Sequence, residues 1–138
     1  MKIGLLTFAL LAAILVPSVF PQIADYPLIE VLAKQEGAQI IFEASWPTAP
    51  NQSTGRVPIR IFDLWVYSDG WNVALWNIVT PNYNGTTNRI VYGQVPQGFR
   101  QMIPGQGSPP KLTAGTYRVS VRGDGGVGTL EFEVKPEK

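Results

Sequence analysis

The stretch from Ile59 to Ile78, I-R-I-F-D-L-W-V-Y-S-D-G-W-N-V-A-L-W-N-I, constrains the fold more than any other part of the chain. Two apolar runs flank Asp69-Gly70, a dipeptide suited to a type I′ turn because both central residues need positive φ. The stretch reads as a β-hairpin. With Asp69 and Gly70 as the two loop residues, Ser68 faces Trp71, Val66 faces Val73 and Leu64 faces Leu75. On the other face Tyr67 meets Asn72, Trp65 meets Ala74, Asp63 meets Trp76 and Ile61 meets Ile78. Directly opposite residues share a face, and faces alternate along the strand. One face is then aliphatic, with Phe62, Leu64, Val66, Val73 and Leu75, and is the expected core. The other carries Trp65, Tyr67 and Trp76 among Asp63 and Asn72.

The rest of the chain is also β in character. Leu28 to Lys34 would suit a helix, with Asp25 as cap and Gly37 as stop. It alternates equally well as a strand, with Ile29, Val31 and Ala33 on one side, and the β character of its surroundings favours the strand. Ala38 to Trp46 alternates Ala38, Ile40, Phe42 and Ala44 against Gln39, Ile41 and Glu43. Pro47 to Pro58 is a loop, since its prolines and small polar residues rule out regular structure. Thr80 to Asn88 is a second loop. Short strands follow at Arg89 to Gln94 and Phe99 to Ile103, then an irregular loop from Pro104 to Lys111. In Leu112-x-x-Gly115-x-Tyr117, leading into an alternating strand, we read a tyrosine corner, in which the Tyr hydroxyl bonds back to upstream backbone. Gly123 to Gly126 turns the chain into a last strand, Gly128 to Val134, with Leu130, Phe132 and Val134 inside. About eight short strands separated by turn signals predict an all-β, immunoglobulin-like antiparallel sandwich of 7–8 strands.

The first 20 residues stand apart. Lys2 precedes an apolar run from Ile3 to Val16, and Val16-Pro17-Ser18 offers small residues for cleavage. Residues 1–20 are expected to be an export signal or, if uncleaved, a hydrophobic anchor; 21–27 is a linker and 28–138 the sandwich. The expected location is therefore secreted or cell-surface, with the membrane touched only through an uncleaved N-terminal segment. Eleven Lys and Arg oppose ten Asp and Glu, and loss of Lys2 with the leader would leave ten of each. So neutral a body carries no electrostatic footprint for nucleic acid. Charged residues are 15% of the chain against about 25% in typical domains, so the surface must be polar and neutral. Asn51-Gln52-Ser53 and Asn84-Gly85-Thr86 fit the N-glycosylation pattern, which makes Asn51 and Asn84 acceptor candidates.

Phe62-Asp63-x-x-Val66, Asp69-Gly70 and Trp76, followed by Leu112-x-x-Gly115-x-Tyr117, resemble bacterial immunoglobulin-like modules, and among them the BsuPI family of intracellular proteinase inhibitors. The similarity covers roughly half of the chain after the leader, and its motifs describe sandwich geometry. Two departures stand out. Ala114-Gly115 replaces the Pro-Gly usual in that family, and an export signal is foreign to an intracellular inhibitor. The resemblance implies the fold; it does not imply the activity.

The chemical inventory argues against an enzyme. The chain has no Cys and no His, which removes thiol nucleophiles, Ser-His-Asp triads and ordinary zinc sites. Asp63 as a catalytic carboxylate needs a second acid about 5–10 Å away. Asp69, the nearest in sequence, lies roughly 20 Å along the strand. Asp69-Gly70 and Asp124-Gly125-Gly126 lack the dense oxygen spacing of a calcium loop, and the glycines from Gly123 to Gly128 precede no helix, so they form no phosphate loop. No catalytic residue, metal or cofactor is expected. The candidate binding residues are Trp65, Tyr67 and Trp76 with Asp63 and Asn72, and in second place Trp71 next to the turn and Tyr83 in the loop, since flat aromatics with polar edges stack on sugars or anchor protein partners. The expected function is binding or assembly at the cell surface. The partner is a protein, including a second copy of this chain, or a glycan. The alternatives are a filament subunit donating Leu28 to Lys34 to a neighbour's open edge, a carbohydrate-binding module, and a proteinase inhibitor presenting Pro104–Lys111 or Pro47–Pro58.

Overall fold

The computed structural model describes residues 28–47, 57–81 and 87–137. Residues 1–20, the expected leader, 21–27, the expected linker, and the acceptor candidates Asn51 and Asn84 lie outside these residues. Eight strands follow one another: β1 (Glu30–Glu36), β2 (Gln39–Ser45), β3 (Ile61–Ser68), β4 (Val73–Val79), β5 (Arg89–Val91), β6 (Arg100–Ile103), β7 (Gly115–Gly123) and β8 (Gly126–Val134). They form two antiparallel sheets, one ordered β1-β2-β5 and the other β6-β4-β3-β7-β8. The all-β expectation is met, and Leu28 to Lys34 resolves in favour of a strand.

The inner faces of both sheets meet in one core. The small sheet contributes Val31, Ile40, Phe42, Ala44 and Ile90; the large one contributes Leu64, Val66, Trp76, Ile78, Val119, Val121 and Phe132. Phe132 meets Phe42 edge-on at 5.3 Å across the layers and stacks on Tyr117 at 5.8 Å. Burying a side chain of this size contributes about 1.5–3 kcal/mol, so these side chains dominate the stability. The expected corner motif sits where the loop crosses into β7. Leu112 and Tyr117 are buried, Gly115 opens the strand, and the Tyr117 hydroxyl donates to the Thr113 carbonyl at 2.8 Å.

The hairpin differs from expectation in its register. Asp69 and Gly70 do take positive φ, 49° and 66°. The loop, however, runs from Asp69 to Asn72, with the Asn72 N–H donating to the Asp69 carbonyl at 3.2 Å. Ser68 then pairs with Val73 and Tyr67 with Ala74; next Val66 pairs with Trp76, Trp65 with Asn77 and Leu64 with Ile78. Leu75 is the extra residue of a β-bulge. A bulge leaves one residue unpaired and flips the facing of all that follow. The expected pairs Val66–Val73, Leu64–Leu75, Trp65–Ala74 and Asp63–Trp76 are therefore replaced. Trp76 and Ile78 enter the core with no exposure, while Val73, at the end of the sandwich, is 48% exposed. A second irregularity, at Phe62 between β3 and β7, keeps both Ile61 and Leu64 inward.

Two long edges close on each other. Leu28 bridges Val127 in parallel, and the Ile29 N–H donates to the Val127 carbonyl at 2.9 Å. Near the other end of this seam the Gln35 amide donates to the Lys135 carbonyl at 3.0 Å and accepts from the Lys135 N–H at 2.8 Å. A side chain thus substitutes for a strand partner. The remaining sheet edges, β5 and β6, are three and four residues long. Covered or very short edges are how β-proteins avoid pairing with strangers.

At the end of the molecule where Leu28 enters, Arg60 grips Asp124 with two bonds of 2.8 and 2.7 Å, fastening the β7–β8 turn to the start of β3. The hydrogen bond from Arg60 holds the Asp124 carboxyl below the usual carboxylate range. A lowered folded-state pKa contributes stability above the unfolded value near 3.9 and loses it as pH falls through the folded value. Asp124→Asn is therefore expected to lower the melting temperature at pH 7. The deficit should vanish in thermal melts at acid pH, once the wild-type carboxyl is protonated. An equal deficit at every pH would show that the ion pair contributes nothing.

Candidate functional site

The site is built on β3, the central strand of the larger sheet. Because β3 alternates, Leu64 and Val66 point into the core and Asp63, Trp65 and Tyr67 point out. Trp65 and Tyr67 are half-buried and stack on each other with ring centres 5.8 Å apart and planes 10° apart. Tyr67 then meets Trp71 of the hairpin loop edge-on at 5.0 Å. On the neighbouring strand the Arg118 guanidinium lies 5.2 Å from the centre of the Trp71 ring. Its other side reaches Glu131 on β8 at 3.2 Å. The result is a continuous row, Trp65–Tyr67–Trp71–Arg118–Glu131, across three strands and a loop. Trp71 is its most open member among the large apolar side chains, at 44% exposure.

A polar footing supports the row. Asn77 is buried, and its amide donates to the Asp63 carboxylate at 2.8 Å and to the Leu64 carbonyl at 3.0 Å. That bond fixes Asp63 beside the aromatic rings. Partial burial, with the Asp63 charge adding to it, pushes the Tyr67 phenol above its ordinary pKa. Tyr67 is thus a neutral hydroxyl over the whole physiological range. A cation over an aromatic face and an edge-to-face ring pair each contribute about 0.5–1.5 kcal/mol, so the row is held in one arrangement rather than waving in solvent.

The structure brings together Trp65, Tyr67 and Asp63 of the expected residues and separates two others. Trp76 is buried in the core; its indole N–H donates to the Gln101 side chain at 2.9 Å and its ring meets Tyr92 edge-on at 5.2 Å. Asn72 lies exposed in the loop, not opposite Tyr67. Trp71, expected only as an additional contact, and Arg118, not expected at the site, complete the row in their place; Tyr83 lies outside the described residues. Arg118 has a legible signal, since it alternates outward from Tyr117 and Val119. Trp71 lies immediately after the turn dipeptide, and its contact with Tyr67 depends on the longer loop.

Other surfaces raised by the sequence can also be located. Leu28 to Lys34 is engaged within its own chain: β1 pairs with β2 over its whole length, from Glu30–Ser45 to Glu36–Gln39. Donation to a neighbour would have to release that ladder and the seam to β8. The loop after β6 is braced from beneath, because the Gln101 amide donates to the carbonyls of Pro104 and Gly107 at 2.9 and 2.7 Å. Most of the loop from Pro47 to Pro58 lies outside the described residues. Compared with protein families, with curated proteins and with solved structures, the chain matches none.

Proposed function

We propose that this chain is an exported, non-catalytic, immunoglobulin-like module that recognises a protein partner at the cell surface through the outer face of its larger sheet. The single observation that carries the reading is the Trp65–Tyr67–Trp71–Arg118 row on that face. Tryptophan, tyrosine and arginine dominate binding hot spots; the two aromatics bring large contact area at small entropic cost, and arginine brings directional charged bonds. The row favours a protein over a glycan. Sugar stacking wants open, coplanar ring faces, whereas here Trp65 and Tyr67 cover each other and Arg118 occupies a face of Trp71.

The immunoglobulin-like assignment is supported by strand order. Labelled by sheet position, β1-β2-β5 corresponds to A-B-E and β4-β3-β7-β8 to C′-C-F-G, whereas β6 follows β5 in the chain, pairs beyond C′ and departs from that scheme. The Tyr117 corner stands at the start of the F equivalent, where such domains carry it. Export is supported by the apolar run after Lys2.

Two measurements test the proposal. Fractionation of the producing cells with intact-mass analysis tests export; the protein is expected outside the cytoplasm, and a wholly cytoplasmic protein refutes it. Labelled protein applied to intact producing cells tests recognition. Trp71→Ala with Arg118→Ala is expected to weaken saturable binding by about tenfold or more, a loss of about 1.4 kcal/mol, while the lost ring pair and cation–π contact lower folding stability by about 1–3 kcal/mol and leave the chain folded. Binding equal to wild type would show that the row is not the recognition surface.

A further inference from the structure

A second site lies at the end of the sandwich away from Leu28, between the two sheets and beside the C-terminal tail. It is a cleft of about 530 Å³, within the range of small-molecule sites. Its floor is apolar: Ile40 of the small sheet, Tyr92 after β5, Leu112 before β7 and Val134 at the end of β8. Two polar side chains beside this floor are already engaged. The Tyr92 hydroxyl donates to the Pro110 carbonyl at 2.8 Å, and both ends of the Gln35 amide are taken by Lys135. The floor itself therefore offers mainly apolar contact. At the rim, the Lys111 ammonium meets the Glu137 carboxylate at 3.1 Å. That pair is exposed, at 73% and 54% of the side chains, and exposed pairs are weak. Glu137 also lies beyond the last strand residue, Val134, so no sheet ladder holds it in place.

We propose that this cleft binds a small amphipathic carboxylate, its apolar body on Ile40, Tyr92, Leu112 and Val134 and its head group on Lys111 in place of Glu137. The tail carboxylate occupies the position of the ligand's head and competes with it. Displacing Glu137 frees the Lys111 ammonium to take the ligand's carboxylate in its place. The inference does not depend on the role of the aromatic row, which lies on the outer face of the larger sheet, away from the cleft between the sheets.

Titration of the full chain with decanoate, followed residue by residue by amide NMR, tests it. Saturable one-to-one binding is expected, with shifts centred on Tyr92, Gly93, Leu112 and Val134. Lys111→Glu is expected to weaken decanoate by about fivefold and Glu137→Gln to tighten it by about threefold, the scale of an exposed ion pair. Both side chains are exposed, so neither change threatens the fold. Decanol, with the same body and no charge, is expected to bind without regard to either substitution. Shifts that never saturate, shifts confined to residues outside the cleft, or a decanoate affinity unchanged in Lys111→Glu would each overturn the proposal.

Discussion

Trp76→Ala is expected to lower folding stability by about 3–5 kcal/mol, the cost of truncating a fully buried aromatic side chain. The indole has no exposed surface, so its removal leaves a cavity between the sheets and strips Tyr92 of its edge-to-face partner. It also leaves the Gln101 oxygen without its donor. Gln101 is the side chain that braces Pro104 and Gly107, so amide exchange in that loop should rise along with the global loss. Trp65→Ala, on the outer face, is expected to cost only about 0.5–1.5 kcal/mol, the worth of one aromatic pair. Urea denaturation of the two variants measures the contrast. Equal costs would contradict the bulge at Leu75 that sends one tryptophan inward and leaves the other outside.

The second large effect comes from a glycine. At Gly128 an added methyl carbon would sit 2.4 Å from the Ile29 carbonyl oxygen and 2.8 Å from a methyl of Val31. The first of these is backbone and has no rotamer to escape into. Gly128→Ala must therefore push β1 away from β8, at the bonds that close the seam. Overpacking of this kind costs about 1–3 kcal/mol, and hydrogen exchange at the Ile29 amide should accelerate with it. Gly105→Ala is the control, since nothing lies within 4 Å of its added carbon, and it should be near neutral. If the two variants have the same stability, β8 does not need glycine there. Gly123, whose added carbon would fall 2.4 Å from the Arg60 carbonyl oxygen, is expected to follow Gly128.

These two residues also mark where sequence reasoning stops. Signals confined to a few neighbours were legible: the alternation in Ala38–Trp46, the positive φ demanded at Asp69-Gly70, and the corner written as Leu112-x-x-Gly115-x-Tyr117. Register was not legible, because it depends on a single residue. Val73-Ala74-Leu75-Trp76-Asn77-Ile78 supports two facings, one with Val73 and Leu75 inward and one with Trp76 and Ile78 inward, and the choice rests on a bulge whose cause is packing. The alternation of Trp76 and Ile78 around Asn77 was the available clue. It was outweighed by a two-residue turn that the chain lengthens to four. Asn77, given no role by the local pattern, is the buried support of Asp63. For Gly128, the reason for glycine lies in a strand some hundred positions earlier, and no local pattern reports it. The aromatic site was half legible for the same cause: Trp65 and Tyr67 follow from alternation along one strand, whereas Trp71 and Arg118 join them only through the loop and the neighbouring strand.

The parallel course of β1 beside β8 has a mechanical consequence. Leu28 lies at one end of the molecule, and Lys135 at the other. Tension applied between these points pulls the two strands lengthwise past each other. The contacts at Val127 and at Gln35 are then loaded in shear, together, and cannot be peeled open one at a time. A chain held at one of these points and pulled at the other resists through both clamps at once, and yields only when the whole seam slides.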